Sequence, residues 1–196
     1  ISYGTMHGAS KGKDVKLRKE IAIAIKECMM HENLFGVLVS HGSSTVPKYI
    51  VDEINALGGN IQNAYGISID ELKAAIPCGI GKINVDTDIR LAVTRNMKEF
   101  FKNNPSKRDS ASIGGVYQLL EEKKDQFDPR AFLPPIMDTV MYGTIKDDDT
   151  AALVEVIEKG VKEAIGTLIV EFGSFGKAPL VEQISLEEMI ERYKKM

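Results

Sequence analysis

Two histidines and a small set of hydroxyl, amide and carboxyl residues carry the chemistry this sequence can offer. His7 and His41 lie 34 residues apart, each where an apolar stretch gives way to a glycine-bearing loop. The loops read His7-Gly8 and His41-Gly42-Ser43-Ser44, and a third such end reads Asn84-Val85-Asp86-Thr87. If the apolar stretches are neighbouring parallel strands, they lie about 5 Å apart, and two imidazoles at their ends can meet on one ion. Zinc takes imidazole nitrogen at roughly 2.0–2.1 Å, and catalytic zinc sites often combine three protein ligands with an open position. Two histidines leave such a set incomplete. The competing reading is hydrogen-bonded histidines at the rim of a core.

Gly8, Gly42, Ser43 and Ser44 suit a phosphate. Glycine lets backbone N–H groups approach an anion, and serine hydroxyls add donors. The plainer alternative is that these are turn residues. Lys11 and Lys13 fit an anion equally as loop lysines. Asn84 and Asp86 alternate along a strand, so both side chains face one way, toward the mouth if the strand belongs to a barrel. Asp86 also reads as a helix cap, with Thr87 or Asp88 as the other candidates for that role. Lys82, inside a strand, could form a Schiff base with a carbonyl substrate. His31 reads as a helix C-terminal residue.

The elements that must position these groups follow from periodicity. Helical spacing of apolar residues predicts helices over 16–30, 47–57, 69–76 and 89–101. Short β-like runs fall at 1–6, 37–39 and 80–85. Strand, loop and helix in alternation argue for parallel βα units, in which ligands bind at the C-terminal strand ends. Beyond Phe101 the pattern becomes helical, with helices predicted over 116–124, 131–142, 150–172 and 186–195 and a glycine- and proline-bearing loop over 173–179.

With 196 residues, 43% hydrophobic and 27% charged, the chain can bury a sizeable core. A net charge of −3 and a pI near 5.7 leave no basic footprint for nucleic acid. No apolar run is long enough to span a bilayer. Cys28 and Cys78 form no C-x-x-C pair and read as reduced packing residues of a cytoplasmic protein. Ile1-Ser2-Tyr3-Gly4-Thr5 reads as the end of a buried strand, and the expectation is a longer protein whose front half is missing here.

Taken in order, G-T-M-H-G-A-S-K-G-K (4–13), V-S-H-G-S-S-T-V-P (39–47) and K-I-N-V-D-T-D-I-R-L-A (82–92) resemble the class II fructose-bisphosphate aldolases, with A-Y-G-I (64–67) and F-D-P-R (127–130) in matching order. The resemblance runs from Ile1 to about Tyr142. It implies an α/β fold, the C-terminal portion of a TIM (β/α)8 barrel with additional C-terminal helices. Residues 1–102 would form the last three βα units, and 103–196 a helical extension packing on the barrel and on a neighbouring subunit. It implies a zinc enzyme cleaving fructose 1,6-bisphosphate to dihydroxyacetone phosphate and glyceraldehyde 3-phosphate. His7 and His41 would be zinc ligands. Gly8, Gly42 and Ser44 would hold the dihydroxyacetone phosphate group, with Ser43, in place of the glycine or alanine of some members, lining the same loop.

By the same resemblance, Asn84, Asp86 and Thr87 would contact substrate, and Arg130 would reach the second phosphate from a neighbouring subunit of a homo-oligomer. The family's third zinc histidine, its proton-transferring aspartate and its acidic mobile loop have no counterparts in these 196 residues. The isolated chain is therefore expected to be inactive. Tagatose-bisphosphate cleavage, a non-catalytic interaction fragment and a Schiff-base aldolase on Lys82 stand as alternatives.

Overall fold

The computed structural model describes residues 1, 3–5 and 15–195. His7, Gly8, Lys11 and Lys13 lie outside the described residues. Two parallel strands, β1 (Leu38–Ser40) and β2 (Ile80–Ile83), pair with Leu38 opposite Ile80 and Ser40 opposite Ile83. A parallel pair needs a crossover, here supplied by α2 (Lys48–Ala56) and α3 (Ile69–Ala75), with α1 (Lys19–His31) preceding the pair. The predicted first strand falls partly outside the described residues, and its described part is bent chain. Even so, the Ile1 nitrogen donates to the Val39 carbonyl at 2.7 Å.

Each crossover helix has a local cause. Ile50, Val51 and Ile54 bury one face of α2. Gly58 (φ 89°) then ends it, with Gly58 N–H bonding to the Asn55 carbonyl and Gly59 N–H to the Ile54 carbonyl, the two bonds of a Schellman motif. Ser68 caps α3 by accepting from Glu71 N–H at 3.2 Å. The Ser-x-x-Glu spacing suggests a reciprocal capping box, but the Glu71 carboxylate turns outward to Leu17 N–H (3.0 Å), Lys16 (3.2 Å) and Lys19 (2.9 Å). α3 is thereby tied to the start of α1.

α4 (Thr87–Asn103) is the central helix. Its Leu91, Ala92, Val93, Met97 and Phe101 are buried, split between a core shared with α2 and one shared with α5 (Gly114–Glu122) and α7 (Asp148–Glu171). α4 and α7 approach closely because Gly160 has no side chain. A Cβ there would meet Val93 Cα at 2.9 Å and the Ala92 carbonyl oxygen at 3.0 Å. A separate core beneath the strand pair holds Tyr3, Leu38, Ile67, Leu72 and Ile80.

The helix predicted over 131–142 is shorter, α6 (Met137–Tyr142). Pro129, Pro134 and Pro135 confine the preceding chain to two 3-10 turns, since proline lacks the N–H and crowds the preceding turn. α8 (Leu186–Lys194) completes the order. No helix among the described residues is long and apolar enough to cross a membrane.

Candidate active site at the ends of the two strands

Backbone pairing continues past the strands. Asn84 N–H donates to the Ser40 carbonyl at 2.9 Å and Ser43 N–H to the Asn84 carbonyl at 3.3 Å. This holds the loop after β1 beside the loop after β2, and it brings together His41, Gly42, Ser43, Ser44, Asn84, Asp86 and Thr87. Asn84 Nδ2 and His41 Nδ1 are 3.1 Å apart. His41 is exposed, and its ring is oriented by this neighbour in the way an outer partner orients a metal-binding histidine. Among the described residues no three His, Cys, Asp or Glu side chains converge. Of the two predicted metal donors, His41 stands here, and His7 lies outside the described residues.

The serines divide into two roles. Ser43 is fully buried, its hydroxyl 2.6 Å from Ser40 Oγ, which in turn lies 2.6 Å from the Tyr3 hydroxyl. Burial raises the Tyr3 phenol pKa, and the Ser40 bond acts against that. This chain braces the loop from below. Ser44 Oγ accepts from both Asp86 N–H and Thr87 N–H at 3.1 Å. It satisfies two donors at the start of α4, donors that any helix N-terminus leaves over.

The cap predicted from Asp86, Thr87 or Asp88 is therefore supplied from across the sheet. Asp86 occupies the N-cap position but makes no side-chain cap bond. Asp88 is buried and reaches the opposite loop, accepting from Thr45 N–H at 3.0 and 3.1 Å and from the Thr45 hydroxyl. Burial raises the Asp88 pKa, while its bonds to Thr45 and to the Val46 backbone pull it down. Val46 has φ 51° and is buried. This left-handed geometry is costly for a β-branched residue, on the order of 1–3 kcal/mol. The Asp88 contacts hold it there.

From Asp86 a line of alternating charge leads outward. Arg90 Nε donates to Asp86 at 2.7 Å, and the other side of its guanidinium meets Asp128. Asp128 also accepts from Arg130 Nε at 3.0 Å and from Arg130 N–H at 3.0 Å. The Arg130 hydrogen bond, more than anything else, holds the Asp128 carboxyl below its ordinary range. Thr94 Oγ1 donates to the Phe127 carbonyl at 2.8 Å and pins this segment to α4. Arg130, 40 residues beyond Arg90 in sequence, is so brought into line with Asp86 within one chain. Its own side chain is 69% exposed.

Sequence reading missed Arg90, Asp88 and Asp128 as parts of this site. The i,i+4 spacing of Asp86 and Arg90 was a visible signal; the pairings of Asp88 with Thr45 and of Asp128 with Arg90 had none. Lys82 is exposed on β2.

Comparison with known proteins bears on this arrangement. Residues 1–177 match the class-II fructose-bisphosphate aldolase family. The fructose-bisphosphate aldolase of Nostoc sp. is 31% identical over the whole of this chain and 43% of its own length. That of Xanthobacter flavus is 31% identical over 98% of this chain and 43% of its own. That of Giardia intestinalis is 33% identical over 99% of this chain and 47% of its own. The chain thus spans less than half the length of these curated relatives. With the family match running through both strand-end loops and on into α7, the chain belongs to the class-II fructose-bisphosphate aldolase family.

Proposed function

We propose that this chain is the C-terminal portion of a metal-dependent aldolase that cleaves fructose 1,6-bisphosphate to dihydroxyacetone phosphate and glyceraldehyde 3-phosphate. The observation that carries the reading is the meeting of His41, Ser44, Asn84 and Asp86 at adjacent ends of two parallel strands, where parallel αβ proteins bind ligands. In the whole enzyme, β1 and β2 are strands of a TIM barrel completed by polypeptide outside this sequence, since two strands cannot close a barrel. Residues 1–102 contribute the last βα units, and 103–196 pack on that barrel and on a neighbouring subunit of a homo-oligomer. The enzyme is cytoplasmic.

His41 and His7 are the zinc ligands this chain supplies. A zinc ion, when bound, supplies Lewis acidity toward the substrate ketone. Asn84 sets the His41 ring. Its amide nitrogen, 3.1 Å from His41 Nδ1, fixes the angle of the imidazole. Gly8, together with the loop of Gly42, Ser43 and Ser44 and with Thr87 at the start of α4, receives the dihydroxyacetone phosphate group, aided by the positive end of that helix. Asp86, held by Arg90, orients substrate hydroxyls. Arg130 takes the second phosphate of a neighbouring subunit's site, with Asp128 fixing the angle of its guanidinium fork.

The test is aldol cleavage of fructose 1,6-bisphosphate by the complete polypeptide that carries this sequence, with a chelator and with zinc restored. Loss on chelation and recovery with zinc support the proposal. Activity that survives chelation overturns the metal role and turns attention to Lys82. Faster cleavage of tagatose bisphosphate overturns the substrate assignment alone.

A further inference from the structure

Toward the C-terminal end of α4, away from the Asp88 clamp, a cavity of about 140 Å³ lies between the end of α2, α4 and α5. Three cationic side chains line it, Lys98, Lys102 and Arg108, together with Tyr117 and one carboxylate, Glu121. Lys98 is 5% exposed, and its ammonium makes a single hydrogen bond, to the Leu120 carbonyl at 3.2 Å. An ammonium has three donors, so two find no protein acceptor among the described residues. Burying a charge with its donors unmet is costly.

Arg108 is set in place beforehand. Its Nε donates to the Phe101 carbonyl at 3.0 Å, and its guanidinium carbon lies 5.2 Å from the centre of the Tyr117 ring. Those two contacts use one edge and one face of the guanidinium and leave the terminal fork at the cavity. Glu121 is drawn toward Lys124 at 3.6 Å, so the positive charge lining the cavity exceeds the negative.

We propose that this cavity binds a small, doubly charged oxyanion of phosphate size through Lys98, Lys102 and Arg108. The volume of about 140 Å³ accommodates such an anion, of which inorganic phosphate is the simplest form. Arg108 presents a planar fork suited to two oxygens, and Lys98 supplies point charge from beneath. Burial lowers the Lys98 pKa, with the Glu121 carboxylate opposing that shift. A bound dianion would stabilise the charged form further. The site is separate from the strand-end loops and does not depend on the aldolase reading.

Titration of inorganic phosphate into the whole chain, followed by the amide resonances of Arg108, Tyr117 and Glu121, tests this residue by residue. Saturable shifts in the millimolar range or below are expected, abolished by Lys98→Met and weakened several-fold by Lys102→Gln. Lys102 is exposed, so the second variant decides should the first fail to fold. The proposal is overturned if these resonances do not saturate, if chloride at matched ionic strength gives the same shifts, or if Lys102→Gln binds phosphate as tightly as the unaltered chain.

Discussion

Asp88, in the first turn of α4, closes on Thr45, 43 residues earlier, with both carboxylate oxygens accepting the same backbone N–H at 3.0 and 3.1 Å. Ser44, next to Thr45, returns the contact by capping the backbone of Asp86 and Thr87. The two strand-end loops therefore hold each other. Each supplies the polar partners that the other's backbone lacks, so the positions of His41 and Asn84 depend on both.

Asp88→Ala leaves the Thr45 and Val46 donors buried without acceptors and is expected to cost about 2–3 kcal/mol. Asp88→Asn, which keeps a neutral acceptor, should cost less, because burial already disfavours the charged form. Urea denaturation of both variants checks the order. Equal stability of Ala and Asn would mean that the acceptor is not what matters.

Ser44→Ala removes the acceptor for two N–H groups of α4 and is expected to lower stability by about 1 kcal/mol, the usual effect of losing an N-cap. In the complete enzyme it should also weaken binding of dihydroxyacetone phosphate. Thermal melting gives the first effect and inhibitor titration the second. A stability change with unaltered phosphate affinity would confine Ser44 to the capping role.

Glu71 governs part of the acid response. Hydrogen bonds from Lys19 first, then from Leu17 N–H, lower its pKa from an ordinary 4.5 to about 2. Its contribution is complete above the unfolded value of 4.5 and is lost as pH falls from there toward 2. Asp88 has the opposite sign, since its raised pKa withdraws stability as pH rises from the ordinary aspartate value to the folded one. Denaturation midpoints measured across the acid range should fall less steeply below pH 4.5 in Glu71→Gln than in the unaltered chain. Parallel slopes would remove Glu71 from the acid response.

Gly66 tests how closely the A-Y-G-I segment packs on the site. A Cβ there would lie 2.1 Å from the Thr45 carbonyl oxygen and 2.6 Å from that of Ser44, while Ile67 N–H bonds to the Ser44 carbonyl at 3.1 Å. Gly66→Ala must push the clamped loop aside and is expected to destabilise by about 3 kcal/mol. Gly143→Ala is a control for the loss of a glycine. Unlike Gly66 it has positive φ, at 67°, but it has open space around it, so it should cost less.

Much of the fold was legible in the sequence because its signals are local. Apolar spacing marked α2, α3, α4 and α7 to within a few residues, glycine ended α2, and the order strand, loop, helix announced a parallel pair. The predicted helix over 131–142 came out shorter because three prolines outweigh apolar spacing. His41, Ser44, Asn84 and Asp86 stood out as polar residues where apolar runs end. What only the tertiary structure decided is which groups meet. Asp86 sits where a cap belongs, yet Ser44 does the capping. Asp88 leaves its own helix to hold Thr45, Asp128 joins Arg90 to Arg130, and Lys98 is buried against Leu120. A hydrogen bond between residues about 40 positions apart leaves no periodic trace in a sequence, because it is set by where packing brings two separately formed elements together.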